Sequence, residues 1–418
     1  MRLLYADKDG NCYDHPTVRA VGRTGDRFLE MSRGDLIELP PGASLVMVPG
    51  GNPVGINSGG LFSLVEREPG SEGPAYAVGA LLPQGYTRTL VPAFRRRGAD
   101  SPLPLLGYSA VAWRRGKVYV AAAKTDNPGR WNPEHYNTPD LPGLVEEFIA
   151  EMPGSRVVGQ LARCALEYGC FTAQNIFYRR WEGGLPVSRN CNAGCLGCIS
   201  LQPAECCPSP QKRIDFSPSV EEVSNLGIKH LEAGRANIIS FGQGCEGEPT
   251  TSSDIIVKAL ARIRKKTPGG TININTNAGI TRAVEELAGS GLDSMRVSLI
   301  SAREEVYNLY HRPRGYSLLD VRASIRAAVG LGVYTSLNLL VFPGLTDREE
   351  EIEALISFIG ETGVNMVQLR NLNIDPDYLL ANVSPAEGDI IGIKGLIDSL
   401  KAIPGVETGN FSRPVYHG

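Results

Sequence analysis

The chain reads as an α/β protein in which a parallel sheet, open or closed into a barrel, is preceded by a smaller β-rich domain. Length is the first reason: 418 residues suit about two domains at roughly 100 to 200 residues each. The second is the text after residue 184, where short β-branched runs alternate with longer amphipathic ones, the pattern of β/α pairs in series. The third is the text before about residue 150, short apolar runs broken by Gly and Pro.

In chain order, the N-terminal strands are read at Leu45 to Pro49, Leu61 to Val65, Tyr76 to Leu82, Tyr108 to Trp113 and Val118 to Ala122. The last two flank Arg114-Arg115-Gly116-Lys117, a hairpin turn by composition. Two helices, Leu144 to Met152 and Val157 to Tyr168, bridge to the second half; Cys164 falls on the packed face of the second. Six strands follow: Leu185 to Ser188, Ala236 to Phe241, Thr271 to Thr276, Met295 to Ile300, Thr335 to Phe342 and Asn365 to Arg370. The helix after the fifth carries apolar residues at Ile352, Leu355, Ile356 and Ile359, behind a capping-box spacing at Thr346-Asp347-Arg348-Glu349. The division is a β-rich domain over 1–150, a helical linker over 151–183, the β/α core over 184–380, and a C-terminal helix and tail over 381–418. In a parallel sheet of this kind, sites gather at the carboxyl ends of the strands.

Composition excludes several classes. At 42% hydrophobic and 21% charged residues the chain can bury a core, and Gly plus Pro stay below the level of a low-complexity chain. A net charge of -3 offers no broad field for nucleic acid or an anionic membrane. The basic runs Arg95-Arg96-Arg97 and Arg262 to Lys266 are read as a solvated loop and a helix face. No signal peptide and no span of about 18 apolar residues is seen, so a cytoplasmic protein is expected. Nine cysteines are too sparse for a disulfide scaffold, and three crowd into eight positions. In a reducing compartment that crowding indicates metal binding.

Those eight positions are Cys191-Asn192-Ala193-Gly194-Cys195-Leu196-Gly197-Cys198, directly after the first strand of the core. Three thiolates can bind three corners of a four-iron cluster and leave one iron open. The competing reading is a zinc site closed by Cys206, Cys207 or Cys245, although zinc sites usually draw on two C-x2-4-C pairs and Cys206-Cys207 is a poorer chelate.

The C-x3-C-x2-C loop after the first strand resembles the radical S-adenosylmethionine (SAM) superfamily, and later segments match it in order over about 184 to 375. The resemblance implies a partial (β/α)6 TIM-like barrel. It also implies a [4Fe-4S] cluster held by Cys191, Cys195 and Cys198, with SAM chelated to the fourth iron. An electron from the cluster would cleave SAM to a 5′-deoxyadenosyl radical that abstracts a substrate hydrogen. At 197 a glycine stands where the family often has an aromatic residue beside the adenine. Gly242 to Thr250 contains G-x-G-x-x-G, but no acid ends the next strand as a dinucleotide site requires. The stretch resembles instead the family's Gly-Glu-Pro segment, which implies that Gly247 and Glu248 meet the amino group of SAM. By the same resemblance Asn277, in Thr276-Asn277-Ala278, and Ser298, on the fourth strand, meet its ribose and carboxylate.

Polar residues at strand ends need a reason, because buried parallel strands are nearly all apolar. Arg370, Asn371 and Asn373 at the end of the sixth strand are read as a substrate site, with Arg370 anchoring a carboxylate or phosphate; a barrel-closing hydrogen-bond network with no substrate is the alternative. Tyr310-His311-Arg312-Pro313-Arg314 reaches toward the same mouth, with His311 as readily an ordinary helix-end histidine as a catalytic one. The insert Ser200 to Phe216 is read as a lid; a second cluster using Cys206 and Cys207 with Cys164 and Cys170 is the lesser alternative. The expected protein is a radical SAM enzyme acting on a peptide or small polar substrate, with no catalytic side chain assigned and a flavodoxin or ferredoxin as reductant. Membrane and nucleic-acid partners are not expected. An RNA-modifying enzyme and a zinc-stabilised, non-catalytic binding module are the rivals.

Overall fold

Alternation shapes the C-terminal half. Along the strands Thr271–Thr276, Ser294–Leu299 and Tyr334–Val341, Ile272, Ile274, Met295, Val297, Leu337 and Leu339 face outward into one continuous core shared with the helices. The computed structural model describes residues 1–418 except 97, 99, 100, 106, 203–206, 208, 385, 386, 417 and 418. Seven parallel strands stand in chain order: Glu182–Gly184, Ile238–Phe241, Thr271–Thr276, Ser294–Leu299, Tyr334–Val341, Met366–Asn371 and Glu407–Gly409. Strand order that follows chain order is that of a barrel wall, since a doubly wound sheet reverses direction. First and last strands are not paired among the described residues, so the barrel is partial. Connecting helices cover the wall, and two of them, Val220–Glu232 and Leu318–Gly330, begin at capping boxes, Ser219 with Glu222 and Ser317 with Asp320.

Four sequence expectations differ from the structure. The first strand is Glu182–Gly184 rather than Leu185 to Ser188. Leu185 N still donates to Ser240 O at 3.0 Å, but Pro186 has no N–H, and the next two amides turn away to a side chain. The seventh strand, Glu407–Gly409, lies in the segment read as a tail and is too short to show periodicity. A third helix, Phe171–Phe177, follows Leu141–Glu151 and Arg156–Leu166. The capping box at 346–349 does not form. Thr346 Oγ1 turns back to Phe342 N at 3.0 Å and Asp347 Oδ1 accepts from Gly344 N at 2.6 Å, so Arg348 is the N-cap of Glu349–Thr362.

The N-terminal part, from Arg2 to Lys124, is a network of thirteen mostly short antiparallel strands. Its hairpin turn pairs Arg114 with Lys117, with Arg115 at φ 50° and Gly116 at φ 80°, as a type I′ turn requires. This sheet and the segment just after it sit against the carboxyl ends of the fifth, sixth and seventh barrel strands. Gly25 N donates to Pro343 O at 2.9 Å, Arg88 donates to the carbonyl of Leu372, and Asp126 Oδ2 accepts from Asn410 N at 2.8 Å. Arg96, read as part of a solvated loop, is instead an interdomain partner of Asp375 at 3.3 Å, while Arg97 lies outside the described residues. Of the second basic run, Arg262, Lys265 and Lys266 form an exposed helix face, and Arg264 pairs with Asp293. Among the described residues no helix is long and apolar enough to cross a membrane.

Asp375 is the buried pin of that junction. It accepts from Leu103 N at 2.7 Å and from Arg96 across the interface, and from Asp377 N at 2.8 Å to cap the next helix. Asp375→Ala removes the carboxylate partner of Arg96 and the acceptor of three amides, those of Leu103, Asp377 and Tyr378, so it is expected to lower unfolding free energy by about 3 kcal/mol. Chemical denaturation checks this, with Asp375→Asn intermediate.

Candidate active site

The cysteine loop is held by a helix end. Helix Glu304–His311 terminates at Arg312, whose φ of 48° turns the chain back. Its last carbonyls, which no helical N–H can satisfy, accept from the loop: Gly194 N donates to His311 O at 3.0 Å and Leu196 N donates to Tyr310 O at 3.1 Å. Arg314 N returns a bond to Asn192 O at 2.8 Å. A Cβ at Gly197 would lie 2.7 Å from the Tyr310 hydroxyl, so the ring of Tyr310 leaves no room for an aromatic side chain at 197. The segment Tyr310 to Arg314 therefore clamps the loop, and His311 is buried at the helix end, its Nδ1 3.4 Å from Cys195 Sγ. Burial pushes the His311 imidazole down to about 3. It also raises the Cys195 thiol, with the neighbouring Cys198 and Cys191 adding to the effect.

Opposite the clamp stands the glycine-rich turn. Gly242, at φ 77°, passes so close to Asn275 that a Cβ would strike its carbonyl oxygen. One carboxylate then ties this turn to the approach of the cysteine loop. Glu246 Oε1 accepts from Gly242 N at 2.6 Å and Gln243 N at 3.0 Å, and its Oε2 accepts from Val187 N at 2.8 Å and Ser188 N at 2.9 Å. Burial pushes this carboxyl up to about 7 against the pull of those four donors.

The sequence-predicted residues come together unequally. Cys191, Cys195 and Cys198 line one cavity of about 360 Å³ at the carboxyl ends of the strands, together with Gly247, Glu248 and Asn277. Ser298, Arg370, Asn371 and Asn373 line the same cavity. Gly247 is pressed against the chain before the loop, its N donating to Ser188 O at 2.6 Å, and a Cβ would strike Asn190 O. The Glu248 carboxylate is spent internally: it accepts from Thr250 N at 3.0 Å, Thr276 Oγ1 at 2.5 Å and Asn277 N at 2.8 Å. Asn277 donates from Nδ2 to Asn192 Oδ1 at 2.7 Å, bracing the loop. Ser298 faces the cavity half-buried, and beside it Asn338 Oδ1 is buried without a hydrogen-bond partner among the described residues.

At the sixth strand the three residues divide. Asn371 joins the two halves of the molecule, accepting from Arg88 N at 2.8 Å and donating to Tyr86 O at 3.0 Å. Asn373 is exposed beside Gly107. Arg370 Nη1 donates to two neutral acceptors, Gln84 Oε1 at 3.1 Å and Asn410 O at 2.7 Å. Burial, with repulsion from Arg296, lowers its pKa to about 10. A second cavity of about 280 Å³, between the N-terminal sheet and the barrel, shares Arg370, Asn371 and Asn373 with the first and adds Gln84 and Tyr86.

The polar residues are not confined to strand ends. Below the cavity Glu182 Oε1 accepts from Ser240 Oγ at 2.7 Å, Asn273 links Ser240 to Ser294, and Arg296 and Ser336 both meet Gln368. The inner face of the wall is thus polar along its length, correcting the apolar-strand expectation.

The other cysteines separate. Cys164 and Cys245 hydrogen-bond to each other, and Cys207 is buried in a different apolar cluster that includes Leu196 and Tyr310; Cys206 lies outside the described residues. Cys245 thus turns away from the loop, and Cys164 and Cys207 do not share a site. Part of the insert read as a lid, 203–206 and 208, is likewise outside the described residues, but Ile214 N donates to Cys245 O at 2.8 Å and Arg213 Nη2 lies 3.6 Å from Cys198 Sγ. Among the described residues no three His, Cys, Asp or Glu side chains converge on a point that would hold one ion. Sequence reasoning missed Glu246, Arg213 and Gln84; a lone acid in a glycine turn carries no signal of what it ties together.

Residues 185–359 match the sequence model of the Radical SAM superfamily. A probable GTP 3′,8-cyclase of Aeropyrum pernix is 30% identical over 171 residues, 40% of this chain and 44% of that protein, so the chain spans less than half the length of this relative. Similar solved structures include HydG, a maturase of the [FeFe]-hydrogenase, at TM-score 0.40 and 16% identity, covering 64% of this chain and 62% of that one. Methylornithine synthase aligns at TM-score 0.36 and 14% identity, covering 64% and 81%.

Glu246→Gln puts an amide NH2 against two of the four backbone donors. A loss of about 2 kcal/mol or more is expected, read by denaturation of the purified protein; an unchanged midpoint would show that the carboxylate is not the brace.

Proposed function

We propose, from the radical SAM domain that residues 185–359 form, that the protein reductively cleaves SAM and uses the product radical to abstract hydrogen from a small polar, anionic substrate. One observation carries the reading: the three loop cysteines and Arg370 line a single cavity.

The residues suit the group. Each ligated corner of a [4Fe-4S] cube is a separate iron, so three thiols around a cavity answer its geometry better than that of one zinc ion with bonds of about 2.3 Å. Cys191, Cys195 and Cys198 would hold the cluster. When bound, the cluster and SAM supply a 5′-deoxyadenosyl radical. Around them the chain's own work is binding and shielding. The main chain at Gly247 and Glu248 forms one wall, and Ser298 with the unpartnered Asn338 Oδ1 offers hydrogen bonds to the SAM ribose and carboxylate. Asn277 serves by bracing Asn192.

Arg370 is the substrate anchor in this reading. Its Nη1 is fixed by neutral acceptors, which leaves the guanidinium positive with a fork for a carboxylate or phosphate. The curated relative, a probable GTP cyclase, is a precedent for a phosphate-bearing substrate. Asn371 and Asn373 complete the rim, and Gln84 brings the N-terminal sheet into the same site. A cytoplasmic address and a flavodoxin- or ferredoxin-type reductant complete the proposal.

After anaerobic reconstitution, the wild type is expected to hold about four irons and sulfides and to release 5′-deoxyadenosine from SAM once reduced. Cys195→Ala should lose both; zinc in the loop with no SAM cleavage would overturn the reading. Arg370→Gln should keep the cluster and slow cleavage of SAM without substrate less than threefold, while losing most product formation from an anionic substrate identified by comparing metabolites of cells with and without the protein.

A further inference from the structure

Buried histidines usually satisfy both ring nitrogens, because an unpaired polar atom away from water costs free energy that an apolar side chain of similar size would avoid. His311 departs from that rule. It is 1% exposed, its Nε2 has no hydrogen-bond partner among the described residues, and its Nδ1 faces Cys195 Sγ at 3.4 Å. Tyr307 and Tyr310 pack their rings on the imidazole at centroid distances of 4.5 and 4.9 Å, which fixes its orientation. The main chain of the same residue accepts from Gly194 N, so the ring of His311 meets the Cys195 thiol while its backbone holds the residue before it.

We propose that His311 is a positioning residue that sets the redox potential of the cluster by donating Nδ1–H to the Cys195 thiolate; this rests on the cluster assignment above. The tautomer follows from the surroundings. Nε2 has no acceptor among the described residues to hold a hydrogen, whereas a ligating sulfur has lost its own proton and can only accept one from Nδ1. The setting makes such a donor consequential. The helix that ends at His311 turns its negative pole toward the loop, and the carbonyls there are engaged by loop N–H groups, so the imidazole is the group at this helix end that offers hydrogen to the sulfur. A hydrogen bond to a cluster sulfur stabilises the more negative, one-electron-reduced form and so raises the potential. Arg213 Nη2, 3.6 Å from Cys198 Sγ, acts in the same sense on a second ligand.

The test compares reconstituted wild type, His311→Leu and His311→Asn by anaerobic redox titration with dithionite, read by electron paramagnetic resonance. Asparagine can place an N–H near the position of Nδ1; leucine cannot. At a potential where the wild-type cluster is half reduced, His311→Leu is expected to show a reduced-to-oxidised ratio about tenfold lower, which is about 59 mV for one electron. His311→Asn should stay within about threefold of wild type. An unshifted leucine variant with its full complement of iron and sulfide would overturn the proposal, as would equal shifts in both variants, which would indicate packing alone. Should the leucine variant fail to hold a cluster, the wild type decides. With ¹⁵N-labelled histidine, the reduced cluster must show a nitrogen coupling and a proton coupling lost in D2O, and their absence overturns the proposal. A wild-type protein that binds no iron would refute the cluster assignment instead.

Discussion

The Glu246 carboxylate is the constraint on which the site depends. Four backbone N–H groups from two separate chain segments converge on its two oxygens, Val187 and Ser188 before the cysteine loop and Gly242 and Gln243 after the second strand. Without it the chain beyond the first strand would leave the buried amides of Val187 and Ser188 unpaired, and the glycine turn would have nothing to close around. The carboxylate thereby fixes the spacing between the loop that bears the thiols and the turn that faces them. Everything else in the pocket is built outward from that spacing: Gly247 pressed on Asn190, Glu248 tied to Thr276 and Asn277, and Asn277 returning to Asn192. Carboxylates do the bracing here because each oxygen can accept two donors, which no neutral side chain of that size matches.

Much of this was legible in the sequence, for identifiable reasons. Thr271–Thr276 was readable residue for residue because alternation over six positions is a strong signal, and the cysteine spacing marked the loop. The first strand was misplaced because Leu185 and Val187 look more β-prone than Glu182-Gly183-Gly184, yet Pro186 breaks the ladder. Glycine there suits a strand pressed closely under its covering helices: a Cβ at Gly183 would lie 3.0 Å from the His230 ring of helix Val220–Glu232. The seventh strand was invisible because three residues carry no period. Glu248 illustrates a different failure: its place in the motif was readable, but the direction of its side chain depends on Thr250 and Thr276, which only the fold brings together.

The polarity of the barrel interior explains why strand ends were a poor guide. In most parallel sheets both faces are dry and the strands read as apolar runs. Here Ser240, Asn273, Ser294, Arg296, Ser336 and Gln368 point inward and satisfy one another, so hydrogen-bonding residues belong to the wall itself. Asn371 was read as substrate-facing on the strength of its position, but it bonds main chain of the N-terminal sheet on both sides of its amide. Arg370 differs in chemistry as well as place. It meets two neutral oxygens, feels Arg296 as a repelling neighbour, and borders both cavities.

The N-terminal sheet acquires a physical role from this. A partial barrel leaves one side of its mouth open to water, and the radical chemistry proposed above would require that the reacting carbon meet its substrate and little else. The N-terminal part covers several strand ends: Gly25 lies against Pro343 and Gly344, Arg88 on Leu372, Asp126 on Asn410. Its turn brings Gln84 to the guanidinium of Arg370, so the charge that would hold a substrate is itself held by the appended domain. Because Asp375 locks the two parts together from a buried position, the chamber's shape is set by the junction as much as by the barrel. A barrel of this kind stripped of its N-terminal sheet would keep its thiols but lose both a wall of the chamber and the group that orients its cation.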